Sequence, residues 1–324
     1  MALFVIILMM LNNSNESTML PDESKLPPIL IGTWAWGDKL LWGYGKNYGD
    51  EELNGAFLSC LDHELTGFDT SETYGEGKSE SLIGQFKQHL EAPLFIASKF
   101  MPYPWRLTKN SLRRALNNSL RRLNVNRLDL YQLQAPLPPR NIESWMEALA
   151  MMLQEGLIKH IGICGVNQEQ LQRAITALGS TGNQLFSCQV EYSWINRSIE
   201  KDGLLKVCKQ AGIHVFASSP LAQGMLTGKY SPTNPPAGIR GTRYSTAQLE
   251  KISSAFLSIR KVLNNHPGAT GSQVAINWLR AKGIIPVVGV KTADQVEENM
   301  LSLEWELDQT EVDYLDNLST TLFE

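Results

Sequence analysis

The sequence predicts an α/β protein whose strands close into a (β/α)8 barrel, the TIM-barrel class. Three observations carry that expectation. Eight apolar, β-rich runs alternate with helix-periodic segments from residue 29 onward, spaced about 30 residues apart. No shift of composition splits the 324 residues into two regimes. Reactive polar residues end several of the runs, and a parallel barrel gathers its chemistry at the carboxyl ends of its strands. A doubly wound open sheet is the alternative, but no G-x-G-x-x-G follows the first strand.

The elements follow in order. ILIGT at 29–33 reads as the first strand and precedes a helix near 50–65. GFDT at 67–70 leads to a helix around 78–90, and LFIASK at 94–99 to one near 108–123. There Leu112, Leu116, Leu120 and Leu123 recur at helical spacing, with Arg113, Arg114, Arg121 and Arg122 on another face, read as a solvated face. RLDLYQL at 127–133 is followed by the helix NIESWMEALAMMLQEGL, and IKHIGIC at 158–164 by a helix near 168–178. FSCQVEY at 186–192 leads to the helical DGLLKVCKQAG, and IHVFAS at 213–218 to an insertion and two helices near 246–264 and 271–282. IIPVVGV at 284–290 is the last strand, with a helix near 292–303 after it. The insertion from 228 to 245, rich in Gly, Pro and Ser, reads as a loop. Because it follows a strand it overhangs the barrel mouth, as a cover for cofactor or substrate.

Composition bounds the partners. With 43% hydrophobic and 19% charged residues the chain can bury a large core. A net charge of -4 gives no general attraction to nucleic acid or anionic membranes. Cys60, Cys164, Cys188 and Cys208 are widely spaced in apolar stretches, which suits buried free thiols rather than a metal site or disulfides. Residues 28–324 are expected to form the single barrel domain, after an extension over 1–27. The apolar run from Ala2 to Leu11 is about half of a membrane span and lacks a basic flank. It reads as a disordered extension, with translation starting at Met19 as one account and a membrane-associated or cleaved leader as the other. A cytoplasmic location is the expectation, and the oligomeric state is left open.

FDTSETYG at 68–75, FIASK at 95–99 and LDLYQLQAP at 128–136 end in Asp69 and Tyr74, in Lys99 and in Gln134. Their order and context resemble the aldo-keto reductase family, whose nicotinamide-dependent enzymes use Asp, Tyr, Lys and His at these points. The resemblance implies Tyr74 as general acid, Lys99 as the cation lowering its pKa and Asp69 as the partner of Lys99. A free phenol titrates near 10, and an adjacent ammonium favours its ionised form. Gln134 stands where the family has His. Its amide can donate an N–H to a carbonyl oxygen but cannot titrate.

The resemblance extends to the cofactor and implies NADPH. IGICGVNQEQL at 161–171 is similar to a family segment whose Ser and Asn hold the nicotinamide carboxamide; here Cys164 and Gly165 take those places. Gln189 matches another carboxamide contact. FASSPLAQGMLTGKY at 216–230 has Ser218 where a Tyr stacks on the nicotinamide, followed by Leu221 and Gln223. Thr33 and Trp34 after the first strand complete that side. At the adenine end Gly289, Lys291, Thr292 and Gln295 match a turn that meets a 2′-phosphate, with Glu298 and Asn299 on the adenine. No metal site is implied. Trp34, Trp36, Trp42, Tyr103 and Trp105 fall in early βα loops, as mouth or as packing residues; at the mouth they suit a flat, hydrophobic carbonyl substrate. WAWGDKLLWGY is also similar to plastid-type pyridoxal reductases of the family. The leading expectation is hydride transfer to an aldehyde or ketone, and the rival a dinucleotide-binding regulatory barrel with little catalysis.

Overall fold

The computed structural model describes residues 26–323 apart from 89, 91–92 and 137. The expectations for the first 25 residues lie outside the described residues. Eight parallel strands close into one barrel in sequence order: β1 (Leu30–Gly32), β2 (Gly67–Asp69), β3 (Phe95–Phe100), β4 (Leu128–Gln134), β5 (Ile158–Cys164), β6 (Ser187–Glu191), β7 (His214–Ser218) and β8 (Ile285–Gly289). β1 pairs with β8, so the open-sheet alternative is excluded.

Helices surround the barrel: α1 (Asp50–Asp62), α2 (Lys78–Phe86), α3 (Lys109–Leu123), α4 (Ile142–Gln154), α5 (Gln168–Gly179), α6 (Ser198–Lys201), α7 (Leu204–Gln210), α8 (Thr246–Leu263), α9 (Gly271–Ala281), α10 (Ala293–Met300) and α11 (Gln309–Phe323). Cap residues explain many of their starts. Asn141, Asn167, Ser245, Thr270 and Thr292 each accept a hydrogen bond from the backbone N–H three residues on, inside the first turn. The helix expected over 202–212 is α7, which begins only after Gly203 takes a left-handed conformation; the short α6 just before it has no counterpart in the expected order. α11 has no counterpart in the expected order. No described helix is long and apolar enough to cross a membrane.

Two cores follow from the strand period of two. The larger lies between strands and helices. A smaller one of Leu30, Ala97, Leu130, Phe186, Phe216 and Val287 fills the barrel interior. On α3 the expectation of a solvated basic face holds only in part. Arg113 pairs with Glu155 at the surface, but Arg122 bonds Glu80, a fully buried carboxylate that also accepts from Ser98. Burial of Glu80 requires such a cation, so Arg122 joins α3 to α2.

Candidate active site

The interior rows turn from apolar to polar toward the carboxyl ends. β3 runs Phe95, Ala97, Lys99, and β4 runs Leu130, Gln132, Gln134 on the same side. Parallel register then sets the tops level: Gln134 opposite Cys164, and Cys164 opposite Gln189. Asp69, Lys99, Gln134, Cys164 and Ser218 end or nearly end their strands and so converge on one rim, with Gln189, mid-strand on β6, level with Cys164 through the stagger of the barrel.

Lys99 is the hub. It is ion-paired with Asp69, both side chains being 1% exposed, and donates to the Thr70 carbonyl at 2.8 Å and to the Tyr74 hydroxyl at 3.4 Å. Tyr74 itself stands in a turn tied by its N–H to the Ser71 carbonyl at 3.1 Å. Gly75 beside it has φ of 55°, and a Cβ there would lie 2.8 Å from the Gly37 backbone, so this turn requires glycine. The ring is partly open, and its hydroxyl end meets the buried ammonium.

Electrostatics correct one expectation. Burial pushes the Tyr74 hydroxyl up to about 12; the Lys99 ammonium opposes that rise and the Asp69 carboxylate adds to it. Desolvation of the phenolate outweighs the cation, so the phenol is not softened in this state. For Lys99, burial acts against the charge, but Asp69 outweighs it and holds the ammonium above its ordinary value. Burial also raises Asp69, against the pull of Lys99 and of the Gln189 amide.

Gln189 departs from its expected orientation. Its amide nitrogen donates to both Asp69 oxygens at 3.2 Å, and its oxygen accepts from Gln132 at 3.5 Å. Both ends of the amide are engaged inside the protein, because the buried carboxylate needs more donors than Lys99 supplies. Gln132, fully buried, is a member of this cluster that sequence reading passed over; its place two residues before Gln134 on β4 was the available signal. Thr33 is likewise committed, donating to the Asp69 carbonyl at 3.1 Å and accepting from Ser79 at 2.8 Å.

Cys164 is half-buried, and desolvation pushes its thiol up to about 11, with Lys99 opposing and Asp69 adding to the rise. Gly165 has φ of 66°, with nothing closer than 3.8 Å to a Cβ there. The position has room but demands the left-handed backbone, which Asn tolerates better than most residues. Ser218 ends β7, and Ser219, Ala222 and Gln223 after it are all left-handed. Such strain at three non-glycine positions within five residues is the kind that clusters at ligand sites.

The β8 edge holds cations without counter-ions. Lys229, Arg240 and Lys291 make no ion pair among the described residues. Burial lowers the pKa of Lys291, and the Arg240 and Lys229 charges lower it further. Arg240 and Lys291 stand over the Trp42 ring at 4.7 and 5.5 Å, and Arg240 donates to the Gln223 carbonyl at 3.4 Å. Buried Arg240 Nε and Trp42 Nε1 have no hydrogen-bond partner among the described residues. A polyanionic dinucleotide fits this edge, supplying the missing charge and acceptors. Thr292 caps α10 by accepting from Gln295 N–H at 3.4 Å, and the Gln295 side chain accepts from Lys291 N–H at 2.8 Å. Glu298 accepts from Thr270 at 2.8 Å, Asn299 is buried, and Gly289 and half-buried Leu221 border this face. No described group of three His, Cys, Asp or Glu side chains could hold a metal ion.

The aromatics divide. Trp34 stacks on Tyr74 at 6.3 Å between centroids and meets Trp42 edge-on at 5.7 Å, so these three wall the mouth. Trp36 is fully buried and donates to the Val290 carbonyl at 2.9 Å; it belongs to the core. Tyr103 and Trp105 stack on each other at 4.7 Å, with Trp105 74% exposed.

Comparisons with known proteins agree with this geometry. The aldo/keto reductase family model matches residues 28–320. The chloroplastic pyridoxal reductase of Arabidopsis thaliana is 34% identical over 298 residues, covering 88% of this chain and 80% of the relative. An NADP(+) aldo-keto reductase of Schizosaccharomyces pombe is 31% identical, covering 83% of this chain and 82% of its own length. An aldo/keto reductase of Klebsiella pneumoniae, solved with NADP and acetate, superposes with a TM-score of 0.72 at 27% identity, covering 91% of this chain and 92% of that one.

Proposed function

The chain belongs to the aldo/keto reductase family, and from that premise we propose that it reduces an aldehyde or ketone with NADPH, Tyr74 donating the proton. The observation that carries this reading is the chain Asp69–Lys99–Tyr74, in which a buried, ion-paired ammonium meets a phenol at 3.4 Å. NADPH supplies the hydride that adds to the carbonyl carbon when it is bound. Tyr74 keeps its proton at neutral pH and delivers it to the carbonyl oxygen as negative charge develops there. Lys99, held charged by Asp69, then stabilises the phenolate left behind until water reprotonates it. Gln134 donates an amide N–H to the same oxygen and fixes the carbonyl's direction.

At the other edge Lys229, Arg240 and Lys291 hold the phosphates, the position of Lys291 favouring NADPH over NADH. The wall of Trp34, Trp42 and Tyr74 suits a flat, aromatic carbonyl compound, and the pyridoxal reductase of Arabidopsis points to pyridoxal as the first candidate. The missing aromatic at Ser218 and the inward-turned Gln189 favour a second reading, a dinucleotide-binding barrel with little turnover.

Fluorescence titration with NADPH, followed by a panel of aldehydes including pyridoxal, separates the two. Binding with oxidation of NADPH supports the reductase. Binding without oxidation of NADPH by any carbonyl supports the second reading, and absence of binding removes both.

A further inference from the structure

We propose that Trp42 is a positioning residue of the dinucleotide site, its indole ring seating Arg240 and Lys291 side by side for the phosphates. This role rests on the dinucleotide half of the reductase reading and adds a residue to it. The Arg240 guanidinium stands 4.7 Å and the Lys291 ammonium 5.5 Å from the centre of that ring. Lys291 also stands over Tyr48 at 4.9 Å, and Lys229 over Tyr230 at 5.0 Å. Each cation of this edge therefore faces an aromatic ring, and none is paired with a carboxylate among the described residues.

Little else holds these two side chains. Arg240 donates to the Gln223 carbonyl at 3.4 Å, and its buried Nε has no hydrogen-bond partner among the described residues. Lys291 bonds Gln295 through its backbone N–H, while its Nζ makes no hydrogen bond among them. The ring itself is fixed by its loop. Asp38 Oδ1 accepts from the Leu41 and Trp42 N–H groups at 2.7 and 3.1 Å, and the Tyr44 N–H donates to the Asp38 carbonyl at 3.0 Å. The Tyr44 hydroxyl in turn bonds Asp50, which accepts from Lys78 at 3.2 Å. The carboxylate nearest to Trp42 in sequence is thus spent on the backbone turn, and the ring is left to meet the cations.

A ring and a carboxylate hold a cation with different consequences. A carboxylate neutralises the charge and must be displaced before a phosphate can pair with it. An aromatic face attracts through its quadrupole and leaves the net charge whole. Burial lowers the pKa of Lys291 first, and repulsion from Arg240 and Lys229 lowers it further. Gathering these cations therefore needs an attraction that adds no anion. Trp42 supplies it from a third element, joining the β1 loop to the β7 insertion and the end of β8. The edge of the same ring meets Trp34 at 5.7 Å, so one side chain borders both the phosphate edge and the carbonyl wall.

Turnover would mix those two roles, so binding by the full chain is the measurement. Trp42→Leu keeps apolar bulk without the ring and should raise the NADPH dissociation constant on the order of tenfold. Trp42→Phe keeps a ring and should retain most of the affinity. In an Arg240→Gln background the loss caused by Trp42→Leu should shrink to about threefold or less. Wild-type affinity in Trp42→Leu, equal losses for Leu and Phe, or an undiminished loss beside Arg240→Gln would each reduce Trp42 to a packing residue. A second readout needs no ligand. The tryptophan emission that is lost in Trp42→Phe should change in position or intensity in Arg240→Gln and in Lys291→Gln. An unchanged component would remove the cations from the ring and overturn the proposal. NADPH binding that follows this pattern without turnover leaves the role of Trp42 standing and removes the reductase, whereas no NADPH binding by the wild-type chain removes both.

Discussion

At the β2–β4 rim the Lys99 ammonium and the Asp69 carboxylate are met by protein partners, whereas at the β8 edge Lys229, Arg240 and Lys291 have no carboxylate paired with them among the described residues. In the first region the buried charge pair is satisfied by protein groups: Asp69 receives Lys99 and the Gln189 amide. The second is electrostatically open, with a lysine lowered by its neighbours and two buried nitrogens unpartnered. Preorganised groups of the first kind are what a developing oxyanion needs, since they cost no rearrangement at the moment of reaction. Unpaired cations of the second kind serve to hold an anion that arrives from solution.

That contrast is broken most severely at Tyr74. Tyr74→Phe should reduce carbonyl turnover by about 10²–10⁴-fold, the usual contribution of a positioned acid, while fluorescence titration finds NADPH binding intact. Undiminished turnover would discard Tyr74 as the proton donor. Asp69→Asn attacks the same rim through stability. Removing one partner of a buried ion pair leaves Lys99 uncompensated, and chemical denaturation should show a loss of roughly 3–5 kcal/mol. A loss confined to a few tenths would mean that Gln189 and the Thr70 carbonyl suffice for the ammonium.

The open edge should respond in the opposite way. Lys291→Ala should weaken NADPH by about 10–100-fold, the equivalent of one charge-assisted hydrogen bond, without lowering the melting temperature of the ligand-free protein, because it relieves repulsion from Arg240 and Lys229. A destabilised ligand-free variant would show that Lys291 is structural after all. The smallest effect is one of shape. Tyr74 keeps its proton until pH rises through about 12, Lys99 stays charged and Gln134 does not titrate. Reduction should therefore be flat from about pH 6 to 9, and alcohol oxidation, which needs the phenolate, should climb toward the alkaline end. Gln134→His should add an ionisation near about 6.5 to the reduction profile. An unchanged profile would mean that residue 134 does not face the reacting oxygen.

Much of the fold was legible because strand ends and helix periods are local. All eight strands, and the order of Asp69, Tyr74, Lys99 and Gln134 along the rim, follow from runs a few residues long. α11 was not legible: its Thr, Asp and Asn content is poor for a helix, and it is held by distant partners. Trp194 and Trp278 donate to Leu315 and Asp316 across the molecule at 2.7 and 2.8 Å. Trp36 was left between mouth and core, and Arg122 was misplaced, for a related reason. Neither the carbonyl of Val290 nor the buried carboxylate of Glu80 can be seen from their own neighbourhoods.

Amino-acid order alone determined the barrel and the identity of the four rim residues. Residue type and strand period are properties of the chain itself. Tertiary structure decided the rest: that burial outweighs the ammonium at Tyr74, and that Gln189 turns to Asp69. Each depends on how many donors, charges and waters surround a group, and that count exists only once distant strands stand side by side.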